Sequence, residues 1–168
     1  MDSKITELSA HFRALGAQNP EEWARSEITE GLPQYTSYAF LREVWLGSVY
    51  PVGHTAWIDN LFKSEEKFGS KTEATLIRKM LSLGISREEI TLLLRETQIS
   101  TIDSVLSKID CSDELMFPES AKPANWSFVE IDEDNQVTRK IECLSDISRT
   151  VGEEIEPQLA QFGSYRNA

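Results

Sequence analysis

The chain has 168 residues, 17 Lys+Arg against 28 Asp+Glu, a net charge of −11 and 40% hydrophobic residues. Such a length buries a core without metals or disulfides, and such a composition is too apolar for a disordered chain. The acidity argues against a general nucleic-acid binder and against docking on an anionic membrane, because both need basic surface.

Residues 3–15 place Ile5, Leu8, Phe12 and Leu15 on one helical stripe, and Gly16 supplies a stop. Asn19-Pro20-Glu21-Glu22 reads as a helix start with Asn19 as cap; the helix carries Trp23, Ala24 and Ile28 to Gly31. Pro33 opens a third helix, with Tyr38, Leu41 and Trp45 on one face, ending at Gly47. After a loop at Pro51 and Gly53, residues 55–67 form a further helix or helical turn carrying Trp57 and Leu61. Ser70-Lys71-Thr72-Glu73 and Ser86-Arg87-Glu88-Glu89 are capping boxes, separated by the Gly84 stop. Ser100-Thr101-Ile102-Asp103 reads as one more start, so three short consecutive helices are expected between residues 71 and 110.

The pattern then changes. Residues 110–125 hold Pro118 and Pro123 and read as a loop. Trp126 to Ile131 alternates apolar and polar residues, Asp132-Glu133-Asp134-Asn135 is a turn, and Val137 to Ile141 returns as a second strand. A lone hairpin is marginal in water, so it must pack on the helices. A short helix around Asp146–Val151 follows, fraying after Pro157. The expected fold is mainly α: a single-domain multi-helix bundle of six or seven helices with a small C-terminal β-hairpin. It divides into a helical body at 1–110, a hairpin at 126–142, and a short helix and tail at 143–168.

The N-terminus lacks the apolar run of a secretion signal, and the longest strictly aliphatic run is Leu92-Leu93-Leu94, against about 20 residues for a membrane span. The expected location is cytoplasmic, with no membrane partner. In that compartment Cys111 and Cys143 are expected as buried free thiols.

No reactive centre emerges. His11 and His54 are the two histidines; His11 suits a helix boundary, and His54 sits in a loop without a partner set. No zinc spacing, phosphate-binding loop or nucleophile elbow occurs. Asp132-Glu133-Asp134 imitates a calcium loop, but Val137 and Cys143 stand where the turn Gly and the bidentate Glu belong. No metal, cofactor or catalytic set is therefore expected. The punctuation around Gly84-Ile85-Ser86 resembles a helix-turn-helix, but the segment STIDSVLSKID carries one Lys against two Asp, which suits plain helix packing rather than a DNA groove.

Charge is uneven: residues 101–168 hold 6 basic and 14 acidic side chains, residues 1–100 hold 11 and 14. An acidic face with an aromatic anchor fits a basic protein partner. The residues expected to carry it are Asp132, Glu133, Asp134, Glu153 and Glu154, with Trp126 as anchor. The leading expectation is a non-enzymatic acidic protein-binding module, with an immunity-type or antitoxin-type inhibitor as its concrete form. The alternative is an enzyme or small-ligand binder with a polar pocket near Arg25, Glu27, Arg42 and His54.

The segment from Asn19 to Gln34, with Phe40-Leu41-Arg42, Leu83-Gly84-Ile85, Arg95-Glu96-Thr97-Gln98 and Trp126 to Asp134, resembles a family of small uncharacterised bacterial proteins. The resemblance covers most of the chain. It implies a bacterial, cytosolic, single-domain protein and brings no activity with it. Within its first motif, Arg25, Glu27, Glu30 and Arg42 are expected to form an ion-pair network joining two helices rather than to line a site.

Overall fold

Left-handed backbone at Gly16 (φ 88) and Gly31 (φ 74) ends the first two helices where the sequence places glycine. The computed structural model describes residues 2–68, 71–110 and 126–162. Seven helices and one two-stranded sheet make up these described residues. They are α1 (Asp2–Ala14), α2 (Pro20–Glu30), α3 (Gln34–Ser48), α4 (Ala56–Phe68), α5 (Lys71–Ser82), α6 (Arg87–Asp110), β1 (Phe128–Ile131), β2 (Val137–Ile141) and α7 (Leu144–Phe162). The fold is mainly helical with a small antiparallel hairpin near the C-terminus, as the hydrophobic periods predict. None of the helices is long and apolar enough to cross a membrane among the described residues.

Two compact units partition the chain. The first comprises residues 1–47 and 101–155. Its centre is aromatic: the Phe12 ring lies 5.7 Å from Tyr38 edge-on and 6.2 Å from Trp23 in a stack. Leu41, Leu106, Leu144, Val151 and Ile155 are buried there as well. Trp45 donates from Nε1 to Ser148 Oγ at 3.2 Å, and its ring lies against Gly152. The hairpin docks through Phe128, whose ring stands 4.8 Å from that of Phe40, while its pair Ile141 is buried.

The second unit comprises residues 48–100 and 156–168. Ile58, Ile77 and Ile90 form its core, with Trp57, Leu61, Met80 and Leu81 packed against them. Trp57 Nε1 donates to Thr91 Oγ1 at 2.9 Å. Arg95 is buried; its guanidinium donates to Tyr50 O and to Glu156 Oε2, the latter at 2.6 Å. Tyr50 N donates to Gln98 Oε1 at 3.0 Å. An ion pair from the buried Arg95 to the partly exposed Glu156 and two backbone anchors thus secure the loop after α3.

Four expectations are corrected. The helices read as starting separately at Ser86 and at Ser100 are one helix, α6, because no Gly or Pro interrupts residues 87–110 and Thr101 simply continues the ladder. That removes the separate third helix on which the helix-turn-helix punctuation depended. The short helix near 146–151 is the start of the 19-residue α7, which runs through Pro157. Proline forfeits one intrahelical bond, and burial of Ile155 and Leu159 on either side holds the helix on course. Asn19 makes no side-chain cap at α2; its amide is drawn elsewhere, as described below. Cys143 is exposed rather than buried, with φ 61. The residue 111–125 loop and Cys111 lie outside the described residues, as does Ser70 of the first capping box. The second box forms as predicted: Ser86 N donates to Glu89 Oε2 at 2.7 Å and Glu89 N to Ser86 Oγ at 3.1 Å.

Candidate protein-binding surface

The acidic turn is built by its own first residue. Asp132 Oδ1 accepts from Asp134 N at 3.0 Å and Gln136 N at 2.9 Å, and Asn135 takes the left-handed conformation (φ 59). That arrangement leaves Asp132, Glu133 and Asp134 exposed at the tip of the hairpin. Ile131 pairs across the strands with Val137, and a bulge lies between Glu130 and Ile131. Both apolar side chains are more than half exposed. Three carboxylates therefore flank an apolar cross-strand pair on one projecting element.

The hairpin is held by a charged clasp. Arg139 on β2 donates through Nε and Nη2 to the Glu130 carboxylate, the latter at 3.0 Å, and through Nη1 to Glu27 Oε1 at 2.9 Å. Thr36 Oγ1 donates to Glu130 Oε1 at 2.6 Å, and Tyr35 N donates to Glu27 Oε2 at 2.7 Å. One cation between two carboxylates ties β1 and β2 to the junction of α2 and α3. Arg139 pulls the Glu130 carboxyl down to about 2, helped by the Thr36 and Thr138 hydroxyls. The same carboxylate, with Glu27 behind it, raises Arg139 above its ordinary value.

Glu154 is not on this surface. It is only 7% exposed. Its carboxylate accepts from Gln18 N at 3.1 Å, Asn19 Nδ2 at 3.1 Å, Trp23 Nε1 at 3.2 Å and Tyr38 Oη at 3.2 Å. Gln18 Nε2 also donates to the Glu154 backbone oxygen at 2.9 Å. The buried carboxylate is satisfied by neutral donors from the α1–α2 connection, α2 and α3. Burial, with Glu154 alongside, raises Tyr38 well above the ordinary phenol value. The acid foreseen as partner-facing is thus an internal hub. Its neighbour Glu153 is exposed on α7, with its carboxylate unengaged among the described residues. Trp126 is 41% exposed, and its Nε1 donates to Lys108 O at 3.2 Å.

Each residue of the foreseen pocket has its own surroundings. Arg25, Glu27 and Arg42 belong to the first unit and His54 to the second. Arg25 is exposed. Glu27 serves the hairpin clasp. Arg42 Nε donates to Leu15 O at 2.9 Å, and its Nη1 pairs with Glu43. His54 N closes a turn onto Pro51 O at 3.2 Å. Glu30 accepts from Ser26 Oγ at 3.1 Å. The ion-pair network foreseen among Arg25, Glu27, Glu30 and Arg42 is replaced by Glu27–Arg139–Glu130, because the cation comes from a strand 112 residues downstream. No group of three or more His, Cys, Asp or Glu capable of holding a metal ion occurs among the described residues. Sequence reasoning missed Arg139, Glu130, Ile131 and Val137. The one available signal was Glu130 standing between Val129 and Ile131 on the first strand.

Searches of protein-family models, curated proteins and solved structures return no match to this chain.

Proposed function

We propose that this chain is a non-enzymatic protein-binding module that engages a basic partner through its β-hairpin, in the manner of an immunity-type or antitoxin-type inhibitor acting in a bacterial cytoplasm. The observation that supports this reading is the clasped hairpin tip, where Asp132, Glu133 and Asp134 surround the exposed Ile131–Val137 pair. Charges at the rim steer a cationic partner, and a desolvated apolar centre supplies residence time. The clasp holds the tip in one geometry, which lowers the entropic cost of docking. The unit that bears the hairpin also holds all of the net charge: 20 acidic against 9 basic residues, while the second unit has 8 of each.

The test is capture from a bacterial lysate on the immobilised full chain. A basic protein is expected to be retained at low salt and released as ionic strength rises. Glu133→Lys/Asp134→Lys and Ile131→Ser/Val137→Ser should each lose it, with helicity by circular dichroism unchanged. Asp132 is left in place in both variants because it builds the turn. Equal retention by the parent chain and both variants would refute the reading.

A further inference from the structure

We propose that the outward faces of α5 and α6 form a self-association surface that pairs two copies of this chain. The second unit packs Ile58, Ile77 and Ile90 inward and leaves four leucines outside. Leu76 and Leu83 on one side, Leu92 and Leu93 on the other, are all more than half exposed. Leu83 N donates to Lys79 O at 3.1 Å, which continues the last turn of α5. Residues 76, 79 and 83 are spaced by three and four, so Leu76, Lys79 and Leu83 share one helix face. They lie away from Ala74 and Ile77, which are buried. On α6, Leu92 and Leu93 share the solvent face with Glu96, away from the buried Ile90, Thr91 and Arg95. One stripe is therefore apolar with a central cation, the other apolar with an anion. Lys79 and Glu96 are both exposed and make no ion pair among the described residues.

These two stripes complement each other across copies. The α5 stripe of one chain laid on the α6 stripe of another sets leucine against leucine and Lys79 against Glu96. Charge selects the occupant. With 20 acidic and 9 basic residues, the first unit of one copy repels that of another. The second unit, with 8 of each, is where two copies approach without that penalty. A strongly charged partner gains little from a neutral face, whereas an identical neutral face gains from burying its leucines.

Sedimentation equilibrium of the full chain over roughly 1–200 µM at moderate salt tests this. A reversible dimer with a micromolar dissociation constant is expected. Lys79→Glu alone and Glu96→Lys alone should each weaken it about tenfold, and the two together should restore it to within about threefold of the parent chain. Leu83→Ser/Leu93→Ser should abolish it while leaving the far-UV circular dichroism unchanged. A monomer across the whole range would overturn the proposal. So would a dimer that the leucine pair of substitutions leaves intact. A monomer that instead binds phosphatidylcholine vesicles through these leucines would assign the face to lipid and likewise overturn it.

Discussion

In the first unit a glutamate is drawn inside and surrounded by four donors, while apolar strand residues are pushed out at the hairpin tip. In the second unit the buried Arg95 pairs with a partly exposed Glu156, and the unusual surface is a set of exposed leucines on α5 and α6. The first unit is held by polar contacts of long sequence separation, such as Gln18 with Glu154 and Glu27 with Arg139. The second is held largely by neighbouring helices, with Ile58, Ile77 and Ile90 within one stretch of chain. The contrast teaches that a strongly acidic chain can confine its net charge to one unit and keep the other balanced.

The largest effect that can break the comparison falls on Glu154. Replacing it with Leu leaves Gln18 N, Asn19, Trp23 and Tyr38 without their acceptor, a loss of about 3–5 kcal/mol. Chemical denaturation measures it, and Glu154→Gln, which keeps one acceptor oxygen, should lose clearly less. A loss below about 1 kcal/mol would show that the hub does not hold the first unit.

Glycine positions sharpen the contrast next. A Cβ on Gly152 would lie 2.4 Å from Trp45 Cζ2, so Gly152→Ala should cost about 1–3 kcal/mol through overpacking. Gly84, in the second unit, has nothing within 4 Å of such an atom, only a φ of +86. Gly84→Asn should then cost at most about 1 kcal/mol, from backbone strain alone. Thermal denaturation of the two variants should rank them in that order.

Acid should act on the hairpin clasp. The folded-state value of Glu130 lies below its ordinary 4.5, at about 2. Its contribution is therefore complete above 4.5 and fades as pH falls from there towards 2. After allowance for solvent screening it amounts to about 1 kcal/mol. Hydrogen exchange of the Phe128–Ile141 amides should accelerate over that window, and Glu130→Gln should remove the pH dependence. The smallest effect is expected at the outward leucines. Leu83→Ser and Leu93→Ser should each change the stability of the monomer by no more than about 0.5 kcal/mol, because both side chains are more than half exposed. A larger loss would mean that they belong to a core.

Local signals proved legible where the physics is local. Ser86 and Glu89 close their box because both partners lie within one turn. Gly16 and Gly31 stop helices because their backbone can turn left-handed. The strands at 128–131 and 137–141 follow from alternation and from the Asp132 turn. Failures arose where the partner is remote. Glu153 and Glu154 are adjacent and chemically alike, and nothing in a single helix says which one is buried. Asn19 reads as a cap until a carboxylate 135 residues away claims its amide. Arg139 looks like ordinary strand charge until Glu27 and Glu130 meet it from two sides. Thr101 reads as a start because Ser and Thr favour caps, yet an uninterrupted ladder outweighs that preference once the helix has neighbours.

Sequence alone determined the helical class, the hairpin and its acidic turn, and the total charge, since each depends on residues within a few positions or on a sum. Tertiary structure alone decided which glutamate became an internal acceptor, which arginine fastened the hairpin and which leucines were left outside. Those outcomes depend on desolvation, and a side chain's desolvation is set by groups that reach it from distant parts of the chain.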